Sequence, residues 1–145
     1  MGKNVLVVSA SLRPTSNSHA LALAFAEGAR EAGHDVATVS LRGKRIEFCR
    51  GCLACQAGAA CPLKDDAAAI VERIVAADAI AFATPIYFFE MAGQMKTLLD
   101  RSNPAYAADP AFRDVYLLAT AADEDAHAFD GATKGPVSYT HLRAH

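Results

Sequence analysis

Asn4-Val5-Leu6-Val7-Val8-Ser9-Ala10-Ser11-Leu12-Arg13-Pro14-Thr15-Ser16-Asn17-Ser18 is the stretch on which the fold turns. It opens with a continuous apolar run, rich in β-branched residues and too short for a helix, the pattern of a parallel strand covered on both faces. Residues 9–18 are polar and rich in hydroxyls. Residues 20–32 then carry Leu21, Phe25 and Ala29 at helical spacing and stop at Gly33, a residue suited to a helix end. Residues 35–41 alternate as a second strand. Strand, loop, helix and strand complete one βαβ unit, which calls for a parallel sheet.

The alternation continues outward from that unit. Residues 48–63 have no sustained period, contain Gly51, Gly58 and Pro62, and read as a structured loop. Asp65 and Asp66 open a helix to about Ala77, their charge placed where the helix dipole favours it. Residues 79–84 are a third buried strand, ended by Pro85. Residues 91–101 are a helix with Met91, Met95, Leu98 and Leu99 on one face, closed by Ser102-Asn103-Pro104, and residues 114–120 are a fourth strand. The series predicts an α/β doubly wound parallel sheet with helices on both faces.

After Thr120 the alternation stops. Residues 121–135 are polar and contain glycine, and the fifth strand and closing helix that such a domain needs are missing from the pattern. The run Val137-Ser138-Tyr139-Thr140-His141-Leu142-Arg143-Ala144-His145 has an allowed reverse translation resembling the transposase adapter of shotgun sequencing libraries. The expectation is a C-terminally truncated domain over residues 1–135 followed by a non-native tail over 136–145.

A chain of 145 residues, 52% hydrophobic and 21% charged, has room for one globular domain. Its net charge of −2 supplies no positive field for nucleic acid or an anionic membrane, so neither is an expected partner. No apolar run reaches the roughly 18 residues of a membrane span, and the expected location is the cytoplasm. The five histidines support neither a metal site nor a catalytic triad. His141 and His145 fall in the tail, His19 in the first turn of a helix, and His34 and His127 in turns without ligand partners nearby in sequence. The run Asp123-Glu124-Asp125 reads as a solvated loop.

Three constellations carry chemistry. In an open parallel sheet, ligands bind beyond the carboxyl ends of the strands, and the loop after the first strand is a phosphate position. Hydroxyls of Ser11, Ser16 and Ser18, backbone N–H groups at the helix start and the charge of Arg13 suit a phosphate. A turn that only caps the helix is the alternative. Neither Gly-x-Gly-x-x-Gly nor a P-loop lysine is present, which disfavours a dinucleotide or ATP cradle. Thr84-Pro85-Ile86-Tyr87-Phe88 ends the third strand beside the same crevice, with core packing or an oligomer contact as its alternatives. Cys49, Cys52, Cys55 and Cys61 form a C-x2-C-x2-C-x5-C-P run. That density suits a soft metal, a cluster or redox chemistry; it lacks the two separate knuckles of a zinc ribbon and lies close to the ferredoxin spacing.

Ala10-Ser11-Leu12-Arg13-x-x-Ser16-x-Ser18 resembles the phosphate loop of the NADPH-dependent FMN reductase family within the flavodoxin-like fold, with Ala10 where glycine is usual. Thr84 to Phe88 is similar to the Pro-x-Tyr flavin loop of that family. The helix containing Gln94, Lys96, Asp100 and Arg101 looks like its iron–sulfur flavoprotein and multimeric flavodoxin branches, and the cysteine run resembles the compact motif of iron–sulfur flavoproteins. The resemblance spans about residues 3–120 and implies the flavodoxin-like strand order 2-1-3-4, with the fifth strand missing. It implies FMN held non-covalently, with Ser9, Ser11, Arg13, Ser16, Asn17 and Ser18 at the phosphate and Thr84, Pro85, Ile86, Tyr87 and Phe88 bordering the ring.

The resemblance further implies an NAD(P)H-dependent oxidoreductase in which hydride passes to the flavin without a catalytic protein acid or base. Electrons would go to a flavin, quinone or other small-molecule acceptor, or to a redox partner protein, and the full-length protein would be a homodimer or homotetramer. For Cys49, Cys52, Cys55 and Cys61 three alternatives stand: a [4Fe–4S] cluster passing electrons between FMN and a partner, surface thiols including a non-enzymatic redox sensor, or zinc. A third flavin loop would fall near residues 120–130.

Overall fold

The computed structural model describes residues 2–108, 110 and 114–134. Its strands are β1 (Asn4–Ser9), β2 (Asp35–Ser40), β3 (Ala79–Tyr87), β4 (Glu90–Met91) and β5 (Asp114–Thr120). Its helices are α1 (Asn17–Glu31), α2 (Ala67–Ala76), α3 (Gly93–Asp100) and α4 (Pro104–Ala107), with a 3-10 turn at Ala126–Phe129. The parallel strands run β2-β1-β3-β5. That is the order expected from the sequence, the fourth expected strand being β5 because the two-residue β4 intervenes. Val7 stands opposite Thr38 on one side and Ala81 on the other, and Ala81 in turn opposite Tyr116.

Burial on both faces of β1 and β3 is what their unbroken apolar runs specify. Leu6, Val8, Ile80 and Phe82 point to one side, against Ile70, Val71 and Ile74 of α2 and Met95 and Leu98 of α3. Val5, Val7, Ala79, Ala81 and Ala83 point to the other, against Ala22 and Ala26 of α1. Side chains as completely buried as Phe82, Ile80 and Leu6 each contribute roughly 1.5–3 kcal/mol. Among the described residues no helix is long and apolar enough to cross a membrane.

Several boundaries differ from expectation, each for a local reason. Helix α1 starts at Asn17, with Ser16 as its cap, and buries Ser18, Ala22 and Ala26, not Leu21, Phe25 and Ala29. The small stripe faces the alanines of β3, while Leu21 is exposed and Phe25 meets the Tyr116 ring at a centroid distance of 5.2 Å. Strand β3 runs through Pro85 to Tyr87. The Ala83 carbonyl accepts the Ala10 N–H, so by alternation Pro85 also faces the β1 side, beyond the point where β1 has ended. A residue without an N–H forfeits no ladder bond there. Met91 belongs to β4, which turns back on β3, and α3 begins only at Gly93. The 3-10 turn and the helical residues 130–134 replace the expected irregular segment after Thr120, and they bury Ala128 and Ala132. The expected tail over 136–145, with His141 and His145, lies outside the described residues.

Candidate functional site

At the carboxyl end of β1 the chain turns inward before α1. Ala10 is fully buried; its N–H donates to the Ala83 carbonyl at 2.9 Å and its carbonyl accepts from Gln94 Nε2 at 3.3 Å. The non-glycine residues with positive φ are Leu53, Phe88 and Phe89, so among the described residues Ala10 takes the usual glycine position without strain.

Ser11, Ser16 and Ser18 are all buried. Ser11 Oγ accepts the Arg13 N–H at 3.3 Å, and Ser16 Oγ accepts the His19 N–H at 3.2 Å as the α1 cap. Ser18 Oγ, on the first turn of α1, is buried with no hydrogen-bond partner. A hydroxyl left so costs about 1–3 kcal/mol, which an anion seated at the helix start recovers. The donor set therefore fits a phosphate. Arg13 and Asn17 stand exposed at the rim. Ser9 Oγ lies 3.0 Å from His19 Nδ1, a pairing that nothing in the local sequence pattern signals.

The opposite wall is the end of β3. Thr84 is buried; its hydroxyl donates to the Pro85 carbonyl at 2.9 Å and accepts the Ala92 N–H at 3.0 Å, tying β3 to the start of α3. Its side chain is thus engaged within the protein. Ile86 is half-buried, and Tyr87 pairs with Glu90 across a two-residue hairpin made of Phe88 and Phe89. Both central residues have positive φ, 48° and 62°, the geometry that hairpins of this length ordinarily fill with Asn-Gly. Two phenylalanines there are strained by about 1–2 kcal/mol each. Phe88 is 96% exposed, its ring edge-on to Phe89 at 6.1 Å. Phe89 and the helical residues behind it escape sequence reading, because no turn residues mark the hairpin.

The third cluster lies in the loop between β2 and α2. Cys49 and Cys52 are exposed, Cys55 and Cys61 half-buried, and all four line one small cavity with Arg101 and Asn103. Its volume, about 30 Å³, is near that of one water. Among the described residues no three His, Cys, Asp or Glu groups converge on one ion position. A zinc ion needs such convergence, whereas a cubane binds each thiolate through a different iron; the donor chemistry fits a thiolate-bound cluster.

Arg101 and Asp65 form a buried ion pair beside this loop. Nη1 donates to Asp65 Oδ2 at 2.6 Å and to the Glu47 carbonyl at 2.8 Å; Nη2 donates to Asp65 Oδ1 at 3.1 Å and to Cys61 Sγ at 3.4 Å. Burial opposes the Asp65 charge, but the Arg101 hydrogen bond and the N–H groups of Glu47 and Ala67 hold its pKa below the usual carboxylate value. Burial likewise opposes the Arg101 charge, which Asp65 overcomes, raising its pKa.

Over residues 3–134 the chain matches the family model described as NADPH-dependent FMN reductase. It is 34% identical over 100 residues to an iron–sulfur flavoprotein of Methanocaldococcus jannaschii, covering 69% of this chain and 52% of that protein. With an iron–sulfur flavoprotein of Methanosarcina thermophila it is 35% identical over 95 residues, 66% of this chain and 50% of the other. The chain thus spans about half the length of these relatives. Among solved structures, the NAD(P)H:quinone oxidoreductase from Methanothermobacter marburgensis aligns with a TM-score of 0.72 at 21% identity over 99% of this chain and 78% of that one. The azoreductase AzrA aligns with a TM-score of 0.71 at 18% identity, over 96% and 81%. These two likenesses show a shared fold.

Proposed function

This chain belongs to the NADPH-dependent FMN reductase family, and from that premise we propose that it is an FMN-dependent oxidoreductase passing reducing equivalents from NAD(P)H to a flavin, quinone or other small acceptor. The observation that carries the reading is the buried, unpartnered hydroxyl of Ser18 at the start of α1, with buried Ser16 capping that helix and buried Ser11 following β1. Ser11, Ser16 and Ser18 would hold the FMN phosphate with charge from Arg13; Ser9, engaged by His19, and Asn17 border it. Pro85, Ile86, Tyr87 and Phe88 would border the ring, with Thr84 fixing the loop that carries them. Bound FMN supplies the hydride and electron chemistry; the protein supplies position and electrostatics. No protein acid or base is required. We further propose a cytoplasmic homodimer or homotetramer, for which exposed Phe88 and Phe89 offer apolar contact area.

The test is an FMN titration followed by NAD(P)H oxidation with a quinone acceptor. The reading expects one FMN per chain. Arg13→Ala combined with Ser16→Ala should weaken binding by a few kcal/mol, at about 1.5–3 per charge-assisted hydrogen bond. Unchanged affinity in the double variant overturns the phosphate assignment.

A second reading adds a [4Fe–4S] cluster on Cys49, Cys52, Cys55 and Cys61. It is favoured by four thiols lining one cavity and by N–H donors directed at two of the sulfurs. Protein matured anaerobically with iron should then hold about four irons per chain, and Cys52→Ser should abolish them while FMN binding remains. Iron-free protein with full flavin leaves a plain FMN reductase whose cysteines are surface thiols.

A further inference from the structure

We propose that Arg101 and Asn103, at the end of α3 and its junction with α4, are the positioning residues of the cysteine site, holding Cys61 and Cys49 by N–H···S hydrogen bonds and so raising the potential of the group these thiolates bind. The inference rests on the reading that the loop takes a cluster.

Arg101 is 5% exposed, and a guanidinium so buried needs its N–H groups met. Two meet the Asp65 carboxylate in a fork, one meets the Glu47 carbonyl, and the fourth contact is Cys61 Sγ at 3.4 Å. The Asp65 carboxylate also accepts the Glu47 N–H at 2.8 Å and the Ala67 N–H at 3.0 Å. One ion pair thus pins both ends of the cysteine loop, at Glu47 and Asp65, to the end of α3, and the guanidinium left facing the loop is aimed at sulfur. Lysine could neutralise Asp65 but has no planar fork to serve carboxylate, carbonyl and thiol together.

Asn103 makes the corresponding contact at the other end of the cysteine run. Its Nδ2 lies 3.8 Å from Cys49 Sγ and 3.1 Å from the Asp100 carbonyl, and its Oδ1 accepts from Gln56 Nε2 at 3.4 Å, which sets the orientation of the amide. The Gly51 N–H adds a second donor to Cys49 Sγ at 3.5 Å. Among the described residues no hydrogen bond reaches the sulfur of Cys52 or Cys55, so the first and last thiols of the run are the ones held. A hydrogen bond to a ligating thiolate draws charge from the sulfur and favours the more negative, reduced form of the bound cluster. Removing it lowers the potential.

The experiment uses the full chain, matured anaerobically with iron and sulfide and loaded with FMN, in spectroelectrochemical titration of wild type, Asn103→Ala and Arg101→Lys. Both variants should keep iron and FMN. Their cluster midpoint should fall by at least a tenfold change in the one-electron equilibrium constant, 59 mV, with the FMN midpoint unmoved as internal reference. Iron lost from Arg101→Lys while FMN is retained also supports the proposal, because a general folding role would release both. If Arg101→Lys loses both, Asn103→Ala decides, its side chain being partly exposed and outside the core. Loaded clusters with unmoved midpoints overturn the inference and leave the cluster reading standing; a wild-type chain that takes up no iron overturns both.

Discussion

The Asp65 carboxylate and the Arg101 guanidinium, 36 residues apart in the chain, close a two-point ion pair at 2.6 and 3.1 Å, with side chains 0% and 3% exposed. Removing one partner strands the other charge in the interior, so Asp65→Ala should cost about 3–5 kcal/mol in urea unfolding. Because the folded pKa of Asp65 lies below its unfolded value, its contribution is fully present above about pH 4 and is lost as pH falls through the folded pKa. Asp65→Asn should therefore destabilise strongly near neutral pH and less in acid. An equal difference at both pH values would show that the pair carries no linked proton.

Ser18→Ala should act with opposite signs on two measurements. Without ligand it removes a buried hydroxyl that has no partner, so thermal stability should hold or rise, by up to about 1–3 kcal/mol. FMN affinity should fall. Ser16→Ala, by contrast, deletes the α1 cap and should lower both, with about 1 kcal/mol lost from stability. A destabilised Ser18→Ala variant with intact FMN affinity would remove Ser18 from the phosphate site.

Phe88 sits at φ 48° with 96% of its surface exposed, so its side chain adds strain and little packing. Phe88→Gly should raise the urea midpoint, relieving about 1–2 kcal/mol, with an unchanged m-value, while weakening FMN. Gain of stability with full flavin affinity would make this hairpin a structural accident unrelated to the ring.

Where burial was two-sided, the sequence was legible. Val5 to Ser9 and the run from Ala79 could only be central strands, because no face was left for polar residues. The buried face of α1 departs from its apolar spacing because a helix packed closely on an alanine-rich strand buries its smallest residues, Ser18, Ala22 and Ala26, and leaves Leu21 outside. The hairpin at Phe88 and Phe89 carried no turn chemistry, and Pro85 reads as a strand end unless the end of its neighbour β1 is known. The serines and cysteines were visible as clusters, but what organises them comes from distance. Asp65 with Arg101 and Ser9 with His19 are contacts that no local periodicity encodes.

Gly131 links the last helical residues to the aromatic hairpin. A Cβ there would lie 2.4 Å from the Phe89 carbonyl oxygen, a backbone atom that cannot yield without moving the strained turn. Ala132 beside it is fully buried in the same core cluster as Met91 and Ala92, so this helical end cannot easily shift away. Gly131→Ala should destabilise by about 1–3 kcal/mol through overpacking and weaken FMN by displacing Phe88 and Phe89. Gly28, exposed on the outer side of α1, is the control: a Cβ there meets nothing within 4 Å, and Gly28→Ala should stabilise by up to about 1 kcal/mol through helix propensity with FMN binding unchanged. The same chemical change is thus expected to act with opposite signs at two glycines, and thermal unfolding with FMN titration on both variants checks it. If Gly131→Ala unfolds and binds like Gly28→Ala, the helical residues after Phe129 do not support the hairpin.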